Sequence, residues 1–175
     1  MKPSIYLLFV VFLSSCMSTI MDDDYSAVHP EIKPFIDEFI KEAEVRGYQF
    51  DLSRLKIDFG TPAPGANATT YQEYNQIIID RGSKAWIRNP SELVFHELGH
   101  LILHRKHDDT RLNGFFYKSI MCGEGSVRFN GWRSYRRQYY LDELFNPDTP
   151  FPDWAKDDFE GIESTVEESA PSIQE

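Results

Sequence analysis

Four of the chain's five histidines fall within twelve residues, in the run His96-Glu97-Leu98-Gly99-His100-Leu101-Ile102-Leu103-His104-Arg105-Lys106-His107. The residues before and within that run read as a helix. Asn89-Pro90-Ser91-Glu92 supplies a cap-like asparagine, a proline at the first helical position and an early acid. Leu93, Val94, Leu98, Leu101 and Ile102 supply a buried face. On such a helix His96 and His100 stand one turn apart, ~6 Å along the axis and nearly in line, so both imidazoles reach one point. Glu97 projects ~100° around the axis from His96 and can approach that point without filling it.

The flanking elements predict an α+β domain, with a small mixed sheet packed on this helix between an N-terminal and a C-terminal helix. From His29 to Arg46, the residues Ile32, Phe35, Ile36, Phe39, Ile40 and Ala43 recur at helical steps, with Pro30 and Pro34 early and Gly47 after the end. Leu55 to Phe59, Ala68 to Tyr74 and Gln76 to Asp80 read as short strands of one sheet. Asp108 to Gly131 is glycine-punctuated and loop-rich, the kind of segment in which function often resides. A last helix is expected over Trp132 to Phe145, with Tyr135, Tyr139, Leu141, Leu144 and Phe145 packing and Asp142-Glu143 exposed. There is no internal repeat.

The two ends are of another kind. Lys2 precedes an apolar run, Ile5 to Leu13, far shorter than the ~20 residues a membrane-spanning helix needs, so residues 1–15 read as a secretory signal. Leu13-Ser14-Ser15-Cys16 resembles the lipobox of bacterial lipoproteins, which implies a lipid on Cys16 and residues 16–27 as a tether. The expected location is the cell envelope, facing either the periplasm or the outside. With Cys16 acylated, Cys122 has no disulfide partner and reads as a small buried hydrophobe. The domain then spans 28–155, and the acidic residues 156–175 read as a disordered tail. Loss of residues 1–15 removes only Lys2 among the charged side chains, leaving 17 basic against 28 acidic, a net charge of −11. That balance excludes nucleic acid as a partner, because phosphate backbones require clustered Lys and Arg. A monomer acting on a peptide or protein is expected.

The two histidines one turn apart suit a tetrahedral zinc ion, and a carboxylate beside it suits metal-assisted hydrolysis. Zinc lowers the pKa of bound water towards ~7, and Glu97 is the general base that takes the proton. Such sites use three protein ligands. On an unbroken helix His107 would lie ~16 Å from His96, so the helix has to stop near His104. Histidine is among the few non-glycine residues enriched at positive φ, and His104 can itself form that stop and let His107 swing back.

His96, Glu97 and His100 resemble the metzincin clan of zinc peptidases, whose longer motif adds a glycine turn and a third histidine. Here His107 falls one residue later than that spacing and His104 stands near the glycine's place. The form is similar to small metzincin-like lipoproteins of Bacteroidetes, in which a His-Asp pair follows the helix, here His107-Asp108. The resemblance implies His107 as third ligand, with His104, Asp108 and a downstream Glu143 as competitors, and a hydrogen-bonding role for Asp108 beside the ligands. It also implies that Ser119-Ile120-Met121, 14 residues after His107, is a methionine turn packed under the imidazoles. Phe115, Phe116 and Tyr117 either line a specificity pocket or cover the core. The expected activity is peptide-bond hydrolysis, with substrate extended along Ala68–Tyr74 or Gln76–Asp80. The alternative is a surface binding or scaffold lipoprotein with a structural zinc or a degenerate site. No nucleophile elbow, phosphate-cradling loop or paired-cysteine site competes.

Overall fold

A computed structural model gives the fold of residues 27–112, 116–123 and 131–155. The signal segment with Cys16, the tether up to Ser26, Phe115 and the acidic tail 156–175 lie outside the described residues. No helix among the described residues is long and apolar enough to cross a membrane.

The architecture is α+β. Helix α1 is Lys33–Val45, followed by β1 Lys56–Phe59, β2 Ala68–Tyr71 and β3 Gln76–Ile79. Then come α2 Lys84–Arg88, α3 Pro90–Leu101, β4 Arg111–Leu112, β5 Phe116–Tyr117 and α4 Arg137–Phe145. The sheet order is β1-β3-β2, with β3 parallel to β1 and antiparallel to β2. Segment 27–29 pairs with Ile57 and covers the outer side of β1. The outer edge of β2 has no strand beside it among the described residues. β4 and β5 form a separate two-stranded ribbon.

The helices cover the sheet with one continuous apolar core. Ile36, Phe39 and Ala43 of α1 are buried, as are Leu93, Val94, Phe95, Leu98 and Leu101 of α3. Phe39 lies at its centre, with ring centroids 5.3 Å from both Phe95 and Phe145 and 6.2 Å from Phe50. Arg46, at the end of α1, donates through Nε and Nη2 to Asp142 of α4 at 3.0 and 2.7 Å and fastens the outer helices together.

Four expectations shift. α1 begins at Lys33, because His29 and Pro30 belong to the segment bonded to β1, and the His29 N–H donates to the Ile57 carbonyl. β2 ends at Tyr71, because Gln72–Tyr74 forms a 3-10 turn and Asn75 takes φ 49°, reversing the chain into β3. Asn89 precedes α3 without accepting a helix N–H through its side chain; its amide instead donates to Glu92. The last helix begins only at Arg137. Trp132 sits in a 3-10 turn, Gly131–Arg133, packed on Phe95 at 5.0 Å with its indole N–H on Ser91. That turn takes the neighbouring residues out of helical phase, and Tyr135 is 73% exposed rather than packed. Phe116 and Tyr117 are buried, the core half of their two readings, and Cys122 is a buried thiol whose pKa burial pushes up to about 12.

Replacing Phe39 by Ala removes the ring that three helices share, and an unfolding free energy lower by ~3–5 kcal/mol is expected in urea titrations.

Candidate metal centre

α3 buries one face on the sheet and core, and the same pitch turns His96 and His100 together. Their rings are 4.7 Å apart and their Nε2 atoms 3.1 Å apart. After Leu101 the helix stops. His104 takes φ 52°, the Arg105 N–H donates back to the Gly99 carbonyl at 3.0 Å, and the chain doubles over. Three residues on, the His107 ring stands 5.3 Å from His96 and 4.8 Å from His100. One nitrogen from each of the three imidazoles lies within 4.8 Å of the other two.

The hydrogen bonds decide which nitrogens are offered. His96 Nδ1 lies 2.7 Å from the Ile120 carbonyl, and His100 Nδ1 lies 2.7 Å from the Arg105 carbonyl. A carbonyl oxygen only accepts, so both Nδ1 atoms carry hydrogen and both Nε2 lone pairs face the shared point. Burial lowers His96 to about 4, chiefly by desolvation, and lowers His100 for the same reason, so both rings are neutral at pH 7. Two neutral nitrogens with opposed lone pairs at 3.1 Å repel each other unless a cation lies between them. Two ligands bound tetrahedrally at ~2.0–2.1 Å from one zinc would be ~3.3 Å apart, so the spacing of this pair suits such an ion.

Glu97 is 6% exposed and outside the cluster. Its Oε2 accepts from the Thr70 hydroxyl of β2 at 2.6 Å. Desolvation raises its carboxyl pKa, and the Thr70 hydrogen bond and nearby His107 oppose the rise. Gln72, just beyond β2, donates its amide to the His100 carbonyl at 3.0 Å, so the open-edged strand is pinned beside the histidines.

Met121 is fully buried, with its backbone carbonyl accepting the Asp108 N–H at 2.9 Å. Its sulfur would lie 2.6 Å from a Cβ placed on Gly99. The helix therefore has glycine where the thioether presses on it. Gly123 does the same for the third histidine: a Cβ there would stand 2.7 Å from His107 Nδ1.

The competing donors go elsewhere. His104 is exposed and makes the turn. Asp108, expected to hydrogen-bond beside the ligands, turns its carboxylate to the Thr110 N–H and Lys118, which lower its pKa against burial; its link to the site runs through its own N–H. Glu143, expected to be exposed, is fully buried with Oε1 2.6 Å from Arg105 Nη2. Burial raises its pKa, while Ser119 and Arg105 pull it back. An acid on a helix otherwise turned to the core carries no sequence sign of a partner 38 residues earlier.

Sequence reasoning passed over Thr70, Arg105, Gly99 and Gly123. Of these only Gly99 carried a signal, because glycine inside a helix costs ~1 kcal/mol relative to alanine and so implies a close approach. In comparisons with protein-family models, curated proteins and solved structures, no match to this chain was found.

Gly99→Ala is expected to cost ~1–3 kcal/mol by overpacking against Met121. Combined with Met121→Ala the loss should be smaller than the sum of the single losses, read as urea midpoints in a double-mutant cycle. In chelator-treated protein, the folded-state pKa of His96 lies below the unfolded one. The stability tied to the neutral ring is therefore full above pH 6.5 and lost as pH falls towards about 4. The expected slope from this ring is ~1.4 kcal/mol per pH unit within that window, absent in His96→Gln.

Proposed function

We propose that the chain is a zinc-dependent peptidase of the metzincin type, with a zincin-like fold, that hydrolyses peptide bonds through water activated by Glu97. The reading rests above all on a division of labour around one point. Three imidazoles offer nitrogens to a common point, while the adjacent carboxylate stays out of that set and is held by Thr70. Among the described residues no fourth His, Cys, Asp or Glu joins the three, which supports a centre with a position left for water.

His96, His100 and His107 would hold the ion, which when bound supplies Lewis acidity, lowering the pKa of water towards ~7 and polarising a carbonyl oxygen. Glu97 takes the proton of the attacking water and passes it to the departing amine. Its raised pKa brings its proton affinity closer to what a base needs at neutral pH. The substrate lies along β2. The Asp80 N–H bonds to the Asn67 carbonyl, so by the alternation of an antiparallel ladder Thr69 and Tyr71 also bond inward. Ala68 and Thr70 then turn their backbone groups outward, where an extended peptide can pair beside Glu97. The reading includes display as a monomer from a lipid on Cys16 in a bacterial cell envelope, on the sequence grounds of the lipobox-like segment.

Glu97→Ala should retain one zinc per chain by elemental analysis and lose hydrolysis of a casein or peptide substrate by ~10²–10⁴-fold. A mutant as active as wild type removes Glu97 from the mechanism.

A further inference from the structure

Arg105 stands between the two helices that end near the centre and bonds through both its guanidinium and its main chain. Its Nη1 donates to the carbonyls of Glu143 and Leu144, each at 2.7 Å, and its Nη2 to Glu143 Oε1 at 2.6 Å. Those carbonyls belong to the last turn of α4, where unpaired carbonyls attract a cation. Its main-chain N–H returns to Gly99 of α3, and its own carbonyl receives the His100 Nδ1–H.

A packing role would be complete with the side-chain bonds alone. An ion pair in which Glu143 is fully buried and Arg105 only 11% exposed is also an expensive way to pack, since apolar residues of similar size often serve as well or better. The cost here is larger still, because Glu143 Oε2 has no hydrogen-bond partner among the described residues. The preceding residue, His104, is held at φ 52°, a conformation a non-glycine residue keeps only where its surroundings enforce it. The guanidinium clamp supplies that enforcement one residue away.

We propose that Arg105, anchored on Glu143 and the end of α4, is a positioning residue that sets zinc affinity by aiming its carbonyl at His100 and holding the His104 turn that delivers His107. The inference rests on the metal-centre reading above. Through it, metal affinity depends on the bonds of Arg105 to Glu143 and Leu144 in the last turn of α4, which supplies no ligand.

The test is zinc affinity of the purified full chain, by competition with a chromogenic chelator, beside the thermal midpoint of the metal-free protein. Arg105→Met with Glu143→Leu removes both ends of the buried pair, so the metal-free fold is expected to survive. Zinc affinity should fall ~10–100-fold. Arg46→Met, which loosens α4 from α1 without touching the centre, should lower the midpoint and leave affinity unchanged. Arg105→Lys keeps a charge beside Glu143 but cannot span it and both carbonyls, and should weaken zinc by a smaller factor. It decides the matter if the double variant does not fold. A folded double variant, or the lysine variant in its stead, that binds within about twofold of wild type overturns the role of Arg105 alone. Wild type that takes up no zinc overturns the metal centre itself.

Discussion

One backbone reversal governs the arrangement. α3 brings two imidazoles into line, but a straight helix carries His107 steadily away from them. Only because His104 enters the left-handed region does the chain fold back on Gly99 and His100 and return a third ring to 4.8 Å from the second. That conformation is unfavourable by itself. It is held by bonds made by the residues that follow it: Arg105 to Gly99, His100 and α4, and Asp108 to Met121. The turn and the site are one structural problem with one solution.

The solution uses backbone carbonyls and small residues more than side-chain networks. Ile120 and Arg105 fix the two helix histidines through carbonyl oxygens, which any residue could present but only this fold places. Gly99 and Gly123 are absences that let Met121 and His107 approach. Glu97 is the exception, a buried carboxylate met by a hydroxyl from the sheet's open-edged strand. Sheet, helix and returning loop therefore each supply one constraint on the same few cubic ångströms.

The aromatic core explains how a small domain keeps this geometry rigid. Phe39, Phe95, Phe145 and Trp132 lock α1, α3 and α4 together away from the histidines. The core defines where α4 ends, and the end of α4 is where Arg105 is caught. Packing energy gained on one side of α3 thus fixes polar geometry on the other, because close-packed interiors transmit displacement rather than absorb it.

The sequence alone determined the α+β class, the start of α3 at Pro90, the alignment of His96 with His100, and His104 as the left-handed residue in the turn that follows the helix. Each comes from local rules: helical period, proline at a first turn, and the tolerance of histidine for positive φ. Tertiary structure decided what local rules do not reach. It placed Tyr135 outside and Glu143 inside, gave Thr70 to Glu97 and set Arg105 against α4. Those outcomes depend on partners 27 to 39 residues apart, or on the phase of a helix whose first turn was displaced by one buried tryptophan. A period shows which face a residue occupies; what stands opposite that face is settled only when the chain has closed on itself.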